Sequence, residues 1–459
     1  MSKSESYDAI VIGGGSAGYA AARTFHGAGW KTAVIEGSPA IGGLCILRGC
    51  MPTKAILHGA ELRQSFREAR RWGIEARDIT VDFARLMARK DELIADFADY
   101  RKKQLRDGRF AFFHESAVFI DPHTIRLSGG GTLSARHFVI ATGSKLAPSP
   151  RADLESVGYL TSDSALTLAT LPKSLIVLGG GPVALEFAQF FHRLGTKVTV
   201  IQRSPHVLRD SDTDVAEELQ RGLREEGMTV YAGTEITGVA ATEGGKAITF
   251  LHGKQAVTVE AAEIFNGLGR MPATSGIGLE AAGVKVNAAG QIQVDAYQRT
   301  SQPHMIAAGD CCGPHEIVHI AIQQAEIGAR NLIHPDRMQN VDYRLLVSVV
   351  FTEPQVATVG ASERSLQASG VPYRVATYPF NDHGKSLILG CTHGFVKLIT
   401  AAATGEILGG AVVGPQGGEL IHEIVVAMSQ RMTAAQLAAV PHYHPTLAEI
   451  WTYPAEELA

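Results

Sequence analysis

A chain of 459 residues, 45% of them hydrophobic and 19% charged, is long enough to bury several cores and is typical of a multidomain globular protein. Its formal net charge of −4, without Lys/Arg runs beside amphipathic segments, argues against nucleic acid or a membrane surface as a partner. The first residues lack the features of a signal peptide, and no apolar run reaches the length of a membrane span. We therefore expect a cytoplasmic protein.

The first predicted elements form a βαβ unit. A strand at 7–12 leads into a glycine-rich turn, an alanine-rich helix and a second strand. Gly13 permits the tight turn, Gly15 lets the backbone approach a pyrophosphate, and Gly18 allows close packing of helix on strand. Glu36 closes the second strand, where a carboxylate would accept a hydrogen bond from a ribose hydroxyl. These features favour a dinucleotide-binding fold over a glycine turn that binds nothing.

The next feature is a cysteine pair, Cys45 and Cys50. In an ideal helix their Cα atoms would lie roughly 8–9 Å apart, beyond the ~7 Å that a disulfide can bridge. A disulfide therefore requires irregular backbone up to Cys50, which Gly49 permits. With Pro52 in the first helical turn, Cys50 would lie at a helix N-terminus, where the helix dipole and Lys54 favour a thiolate.

Two other interpretations of this pair stay open at this point, namely two buried free cysteines or half of a zinc site. Zinc would need two more well-spaced ligands, and the adjacent Cys311 and Cys312 are a poor source. The chain has only five cysteines. Because structural disulfides are rare in the cytoplasm, a close pair there indicates a catalytic or metal-binding role, and we favour the catalytic one without a metal.

The segment 81–108 is polar and charged at helical spacing, which predicts a solvated helix. The first pattern then recurs as a strand, a turn with Gly179 and Gly181, a helix, and a strand at 197–201. Ala184 stands where the first unit has its third glycine. The sequence thus predicts two dinucleotide-binding folds.

The end of the second strand in the second fold bears on the choice of cofactor. Recognition of a ribose 2′-hydroxyl would place Asp or Glu near position 202, and this chain has Gln202. Arg203 and Arg209 follow, and their guanidinium groups could bind a 2′-phosphate. The sequence therefore favours NADPH over NADH, with solvated surface arginines as the alternative interpretation. From about residue 342, short β-branched runs followed by helices predict an α+β C-terminal domain.

Several short motifs follow one another along the chain. They are Ala141-Thr142-Gly143, Gly269-Arg270-Met271-Pro272, Ala307-Ala308-Gly309-Asp310, Phe351-Thr352-Glu353-Pro354 and His442-Tyr443-His444-Pro445-Thr446. In this order they resemble the motifs of the class I pyridine nucleotide–disulfide oxidoreductases, which include dihydrolipoamide dehydrogenase, glutathione reductase, mercuric reductase and soluble transhydrogenase. The resemblance covers nearly the whole chain.

The resemblance implies an α/β fold with two Rossmann-like dinucleotide-binding domains and an α+β C-terminal dimerisation domain. The implied boundaries are 1–147 and 271–341 for the two parts of the FAD-binding domain, 148–270 for the NAD(P)-binding domain and 342–459 for the dimerisation domain.

It also implies the roles of the site residues. Cys50 becomes the thiolate against the flavin and Cys45 the interchange thiol, while Lys54 pairs with Glu186 beside flavin N5. The cofactor-binding residues expected from the patterns and the resemblance together are Gly13, Gly15, Ser16, Gly18, Glu36, Gly43, Lys54, Ala117, Thr142, Gly143, Asp310, Val318 and His319 for FAD, and Gly179, Gly181, Glu186, Gln202, Arg203, Arg209 and Gly269 for the nicotinamide cofactor.

By the same resemblance, His444 is the acid/base, oriented by Glu449 and reaching the disulfide from the other subunit, which makes the enzyme an obligate homodimer. Thiol–disulfide exchange needs a thiolate attacker and a protonated leaving group, and a histidine held by a carboxylate can serve both.

The motifs that the chain has and those that it lacks indicate its branch within the family. The chain shows no N-terminal metal-capturing cysteine motif and no C-terminal cysteine relay. It has the cysteine pair and the histidine that soluble transhydrogenases lack. Gly313-Pro314, His319 and the segment 444–449 most resemble dihydrolipoamide dehydrogenases, so a dihydrolipoyl-type substrate, small or protein-bound, is favoured.

Other features keep alternatives open. Glutathione reductases share the NADP-type arginines, and Arg23 falls near the position at which they bind a substrate carboxylate. Leu44, Leu47 and Arg48 depart from the usual family residues around the cysteines and put the standard substrate in doubt. A glutathione- or mercuric-reductase-like enzyme, or a flavoprotein redox partner of a lipoyl-carrying complex, is the alternative.

Overall fold

The computed structural model describes residues 5–75 and 78–459. The chain divides into two compact units. The first unit comprises Met1–Ala55, Met87–Pro148 and Gly269–Val341, and the second Ile56–Leu86, Ser149–Leu268 and Asp342–Ala459.

The described residues form strands and helices throughout both units. The strands are β1 (Glu5–Ile12), β2 (Thr32–Ile35), β3 (Ala111–Phe113), β4 (Ala117–Asp121), β5 (Thr124–Leu127), β6 (Thr132–Ile140), β7 (Ser144–Leu146), β8 (Ser174–Leu178), β9 (Lys197–Ile201), β10 (Thr229–Tyr231), β11 (Thr234–Thr242), β12 (Gly245–His252), β13 (Gln255–Ala261), β14 (Glu263–Asn266), β15 (Arg270–Pro272), β16 (Met305–Ala307), β17 (Val347–Val350), β18 (Gln355–Gly360), β19 (Tyr373–Pro379), β20 (Phe395–Ala401) and β21 (Ile407–Gly414). The helices are α1 (Ser16–Gly27), α2 (Gly43–Leu47), α3 (Cys50–Glu68), α4 (Phe83–Leu105), α5 (Ala152–Val157), α6 (Ser162–Ala165), α7 (Pro182–Arg193), α8 (Thr213–Glu225), α9 (Leu279–Ala282), α10 (Val318–Ile333), α11 (Glu363–Ser369), α12 (Gly384–Leu389), α13 (Gly417–Ser429), α14 (Ala434–Ala438) and α15 (Thr452–Leu458), with short 3-10 helices at Ala69–Trp72, Tyr343–Leu345, Phe380–Asp382 and Ala448–Trp451.

The first unit is built on a seven-stranded sheet in the order β3-β2-β1-β6-β5-β4, with β16 beside β6. Strands β1, β2, β6 and β16 run parallel, and Val11 is in register with Val34 and Val139. All four residues of β2 are buried, as expected for parallel strands covered on both faces. Helix α1 buries a face of small residues, among them Ala17, Ala20 and Ala21, so it lies close to the sheet and to α10. Because β1 and β2 are parallel, their carboxyl ends meet at one edge of the sheet.

The second unit contains a four-stranded parallel sheet (β10-β9-β8-β14), a three-stranded antiparallel sheet (β11-β12-β13) and a five-stranded antiparallel sheet (β17-β18-β21-β20-β19). Helices α13, α14 and α15 cover the five-stranded sheet around a core that includes the fully buried Trp451. The indole N–H of Trp451 donates to the carbonyl oxygen of Leu420 at 3.1 Å, so the largest core side chain buries no unsatisfied donor.

The predicted α/β fold with an α+β C-terminal part is confirmed, and both βαβ units begin and end within two residues of their predicted bounds. The polar segment 81–108 forms helix α4. In the part of the chain that the structure describes, no helix is both long and apolar enough to cross a bilayer.

Candidate active site

The first glycine-rich turn connects β1 to α1 through close backbone contacts. Gly13 has a φ of +109°, and a Cβ there would lie 2.2 Å from the carbonyl oxygen of Ala141. A Cβ on Gly18 would lie 1.8 Å from the carbonyl oxygen of Gly13, and one on Gly43 would lie 2.7 Å from the Cα of Gly15, the N-cap of α1. Glycine is thus required at each position, and the N-cap of α1, Gly15, carries no side chain that would block a pyrophosphate.

Glu36 lies at the same edge of the sheet. Its side chain is buried, with Oε2 accepting from the backbone N–H of Gly14 at 2.9 Å and Oε1 from that of Ser38 at 2.8 Å. The carboxylate is therefore fixed beside the turn, at the place where the sequence predicts a ribose contact.

Asp310 follows β16 and belongs to a polar network. Ser144 Oγ donates to Asp310 Oδ2 at 2.6 Å, and Arg270 Nε donates to Ser144 Oγ at 2.9 Å. Gln324, fully buried on α10, accepts from the backbone N–H of Gly309 at 2.8 Å. Sequence reasoning missed Ser144 and Gln324, because neither lies in a recognised motif.

The other residues expected to bind FAD lie at the ends of elements in the first unit. Ser16 and Val318 open α1 and α10, Ala117 opens β4, Thr142 and Gly143 follow β6, and His319 is exposed on α10. Gly269, expected to contact the nicotinamide cofactor, also falls in this unit, where it precedes β15 with a φ of +123°. Their ligand contacts stay predictions.

The cysteine pair lies where two helices meet. Cys45 is in α2 and Cys50 is the first residue of α3, so irregular backbone is confined to Arg48 and Gly49 and is shorter than expected. The hydrogen bond to Cys50, together with burial, raises the pKa of the Cys45 thiol, while the charge of Lys54 acts the other way. Cys50, which is exposed and begins a helix, is the better placed of the two sulfurs to carry negative charge.

In the second glycine-rich turn, which lies in the second unit, a different glycine allows the helix to pack closely. Gly179 has a φ of +104°, and Gly181 is the N-cap of α7 with nothing within 4 Å of a Cβ built on it. A Cβ built on Gly267 would lie 2.7 Å from the Cβ of Ala184. In the first fold a glycine on the helix, Gly18, lets the helix and the strand pack closely. In the second fold the helix has Ala184, and the glycine that allows close packing is Gly267, directly after the neighbouring strand β14.

Gln202 occupies in the second fold the place that Glu36 occupies in the first. It is buried after β9, and its side chain lies 3.1 Å from the position of a Cβ on Gly180, much as Glu36 lies beside Gly14. A neutral amide therefore stands where the first fold has a carboxylate.

The two arginines expected at the nucleotide are both exposed. Arg203 follows Gln202 directly. The backbone N–H of Leu208 donates to the carbonyl oxygen of Gly180 at 2.8 Å, which brings the Arg209 segment to the glycine turn. Arg209 Nε lies 3.2 Å from a carboxylate oxygen of the next residue, Asp210.

His444 and Glu449 form the expected pair. His444 Nδ1 lies 2.9 Å from Oε2 and 3.1 Å from Oε1 of Glu449, whose side chain is 11% exposed, whereas that of His444 is 79% exposed. An N–H at Nδ1 that donates to this carboxylate leaves Nε2 open to solvent and able to take or give a proton.

The structure places some predicted partners in different units. Lys54 and the cysteine pair belong to the first unit, and Glu186 and His444 to the second. Glu186 is buried and accepts from the backbone N–H of Phe351 at 3.0 Å. The pairing of Lys54 with Glu186 and the approach of His444 to the disulfide stay predictions.

Three other residues that the sequence analysis singled out make contacts within the first unit. Cys311 and Cys312 are buried in the core of the first unit, and Cys311 Sγ lies 3.3 Å from the carbonyl oxygen of Ile140. Arg23 forms an ion pair with Glu326 at 2.7 Å. These contacts favour structural roles for the three residues.

Sequence reasoning also missed His383. This fully buried histidine has Nε2 at 3.4 Å from Glu449 Oε1. No motif marks it, because it is distant from Glu449 in sequence and precedes the short helix α12.

Two family models match the chain. The model described as pyridine nucleotide-disulphide oxidoreductase matches residues 7–325, and the model of the dimerisation domain of the same proteins matches residues 346–455. This chain belongs to the pyridine nucleotide–disulphide oxidoreductase family. It is therefore an FAD-dependent oxidoreductase with a pyridine nucleotide as its second cofactor, and the resemblance drawn from the motifs is confirmed.

Relatives match over almost the full length. A dihydrolipoyl dehydrogenase of Thermus scotoductus is 35% identical, with 99% of this chain and 98% of the relative covered, and one of Chlamydia muridarum is 33% identical, with 97% and 96% covered. Among solved structures, LpdA from Mycobacterium tuberculosis has a TM-score of 0.88 at 29% identity, covering 98% of this chain and 99% of its own. The HOCl-induced flavoprotein disulfide reductase RclA from Escherichia coli has a TM-score of 0.87 at 27% identity, with the same coverage.

The residues present fit both cofactors. Each of the two glycine turns leads into a helix, and each has a buried polar side chain, Glu36 or Gln202, beside it. When bound, FAD supplies the two-electron relay between a nicotinamide and a disulfide.

Proposed function

We propose that this enzyme exchanges electrons between a nicotinamide cofactor, FAD, the Cys45–Cys50 pair and a dihydrolipoyl-type dithiol or disulfide. The observation that carries the proposal is the cysteine pair itself, two hydrogen-bonded thiols at the junction of α2 and α3. The near full-length match to dihydrolipoyl dehydrogenases supports the substrate class.

The two sulfurs have different tasks in this proposal. Cys45 is the interchange thiol that forms a mixed disulfide with the substrate, and Cys50 then attacks Cys45 and releases the substrate thiol. The raised pKa of Cys45 and the place of Cys50 at a helix N-terminus support negative charge on Cys50. In this proposal Lys54, paired with Glu186, adds a positive charge nearby.

His444 is the proposed acid/base of the exchange. Its Nε2 takes the proton of an attacking thiol and returns it to the leaving thiolate, so that no sulfur leaves or attacks in the wrong protonation state. Glu449 holds the imidazole through Nδ1 and stabilises its protonated form.

We further propose NADPH as the favoured nucleotide. Support comes from Gln202, which replaces a carboxylate that a 2′-phosphate would repel, and from the exposed Arg203 and Arg209 beside the same turn. The ion pair of Arg209 with Asp210 is exposed and therefore weak enough for a phosphate to displace.

The domain roles are proposed with the boundaries given above, namely FAD binding by 1–147 and 271–341, NAD(P) binding by 148–270 and dimerisation by 342–459. The match of the dimerisation model to residues 346–455 supports a homodimer. We propose that each active site is shared across that interface and that the enzyme works in the cytoplasm, on a small-molecule or protein-bound disulfide.

The test is a substrate panel. Steady-state rates are measured with NADH and NADPH against lipoamide, glutathione disulfide, Hg²⁺ and a lipoylated protein domain, and in the reverse direction with dihydrolipoamide. The proposal predicts that dihydrolipoamide or lipoamide gives the highest kcat/KM. Faster turnover of glutathione disulfide or Hg²⁺ would assign the enzyme to those branches. Turnover with the lipoylated domain alone would favour a dedicated carrier partner.

A further inference from the structure

A buried histidine lies behind the proposed acid/base pair. His383 precedes helix α12 with none of its side chain exposed, and its Nε2 is 3.4 Å from Glu449 Oε1. Its Nδ1 lies 2.8 Å from the hydroxyl of Ser386, which is fully buried one turn along the same helix. Ser386, His383, Glu449 and His444 thus form a continuous polar chain from the protein interior to an exposed imidazole.

The surroundings indicate the tautomer of His383. A hydroxyl that donates to Nδ1 leaves the proton on Nε2, where it faces the carboxylate. Burial lowers the pKa of His383, which keeps it neutral near pH 7, although Glu449 acts in the opposite direction. In the described residues Nε2 has no hydrogen bond of ordinary geometry. A buried N–H without an acceptor is costly, and catalytic contacts are often long before substrate binds.

We propose that His383 is a positioning residue of the acid/base pair, donating its Nε2–H to Glu449 and thereby fixing the carboxylate against His444. The inference rests on the proposed acid/base role of His444. Glu449 then has two imidazole partners, with Oε1 shared between them and Oε2 directed at His444. Donation from His383 to Oε1 limits rotation of the carboxylate, so that Oε2 stays directed at Nδ1 of His444.

Two tyrosines and one further carboxylate also lie near His383. The ring of Tyr453, on α15, meets it edge-on with centroids 6.3 Å apart, and Tyr453 in turn stacks on Tyr378. The hydroxyl of Tyr378 donates to Asp382, the residue before His383. Among these neighbours Glu449 is the carboxylate in contact with the imidazole, and a change at His383 therefore acts on it first.

The experiment compares two substitutions of His383. His383→Leu removes the donor, and His383→Gln keeps an N–H donor near the position of Nε2. Loss of one hydrogen bond to the carboxylate is expected to slow disulfide reduction by about 3–10-fold and to weaken the hydrogen bond from Nδ1–H of His444 to Glu449, which moves the resonance of that proton upfield. Stopped-flow measurement separates disulfide reduction from hydride transfer to FAD, which should not change. NMR of ¹⁵N-labelled histidines reports the Nδ1–H resonance of His444 directly, and His383→Gln should restore both the rate and the resonance in large part.

Two further variants make the outcome decisive. Ser386→Ala frees Nδ1 of His383 and should move the rate and the Nδ1–H resonance of His444 in the same direction but less far. This variant keeps the test available if His383→Leu does not fold. His192→Leu removes another histidine of the second unit, one that contacts the backbone oxygen of Glu226, and serves as the control for general destabilisation. An unchanged Nδ1–H resonance of His444 in a folded His383→Leu protein overturns the inference. If His444→Ala itself leaves disulfide reduction unchanged, the proposed function fails instead.

Discussion

At the scale of single residues, the chemistry depends on which sulfur carries the charge. In the proposed arrangement Cys50 lies against the flavin, so a thiolate there gives a long-wavelength charge-transfer absorbance. Cys50→Ser should abolish this band after two-electron reduction. Cys45→Ser should show it without reduction, because Cys50 can no longer form the disulfide. Visible spectra of the two purified variants, with wild type as the control, test the assignment, and the opposite pattern would reverse the two roles.

His444 gives a second residue-scale prediction. His444→Ala should lower disulfide turnover by about 10²–10⁴-fold, the usual contribution of a positioned acid/base, and leave hydride transfer to FAD nearly intact. Glu449→Ala should cost less, since the carboxylate only orients and stabilises the imidazole. Stopped-flow measurement of the two half-reactions separates these effects. His442→Ala is a control, because His442 is paired with a different carboxylate, Glu423. Equal losses in both half-reactions would indicate a structural defect instead.

The nucleotide preference depends on two arginines. Charge-assisted hydrogen bonds contribute roughly 1.5–3 kcal/mol each, so even one contact of Arg203 or Arg209 with a 2′-phosphate gives about tenfold preference for NADPH. We expect a higher kcat/KM with NADPH, falling with ionic strength and approaching that with NADH in the Arg203→Ala/Arg209→Ala variant. Arg221→Ala, on the exposed side of α8, is the control. A wild type that prefers NADH would show that both arginines are solvated surface residues.

Most of the site could be predicted from residues that are close in sequence. The glycine turns, Glu36 and the cysteine pair have fixed spacings, and a spacing is visible in one sequence. The partners that hold these residues come from distant segments. Ser144 against Asp310, Gln324 against Gly309 and His383 against Glu449 depend on how the chain folds back, and no local pattern marks them.

At the scale of elements, periodicity predicted the strands and helices of both βαβ units because their apolar runs and glycines agree. The short helix α2 was not expected, since five residues between two glycine-containing turns carry no helical period.

The contacts between elements could not be predicted from the sequence. Lys397 on β20, for example, is buried among Asp212, Asp214 and Glu363 and ties β20 to α8 and α11. Although burial opposes it, these carboxylates raise the pKa of Lys397.

The connection between β17 and β18 contains Glu353, whose ionisation gives a prediction about stability. The side chain of Gln189 on α7 holds this connection through two hydrogen bonds of 2.7 Å. It accepts from the backbone N–H of Glu353 and donates to the carbonyl oxygen of Glu353. Burial raises the pKa of the Glu353 side chain to about 8, although Arg193 acts in the opposite direction. The folded protein therefore binds a proton here that the unfolded chain loses near pH 4.5. Because the folded state binds more protons, this group lowers the free energy of unfolding as pH rises from about 4.5 to about 8.

Glu353→Gln should remove that dependence. At pH 5 the variant and the wild type should be similar in stability, and at pH 9 the variant should be more stable, by a few kcal/mol at order of magnitude. Urea unfolding at both pH values measures the difference. Glu217→Gln, at an exposed position of α8, controls for the loss of one negative charge. A variant that is no more stable at pH 9 than at pH 5, relative to wild type, would show that Glu353 is already ionised in the folded protein.

At the scale of the whole molecule, the cysteine pair and His444 belong to different units of one chain, and the C-terminal part matches a dimerisation domain. The His444 side chain is 79% exposed and is held by Glu449 of its own unit. A homodimer in which each histidine serves the other subunit's disulfide is the arrangement that we propose. Dimerisation would then be a condition of activity as well as of stability.

Mixed dimers test this arrangement. As a homodimer, the Cys45→Ser/Cys50→Ser variant cannot turn over a disulfide, and the His444→Ala variant should keep at most about 1% of wild-type turnover. In a heterodimer with shared sites, one site combines the intact cysteines of the histidine variant with the intact His444 of the cysteine variant, and this site is active. The other site lacks both the cysteine pair and His444. Co-expression with two different affinity tags and sequential purification isolates the heterodimer. We expect about half of the wild-type kcat per dimer, because one of two sites is complete. If each subunit used its own histidine, both sites of the heterodimer would be defective and its activity would stay at the level of the parent variants.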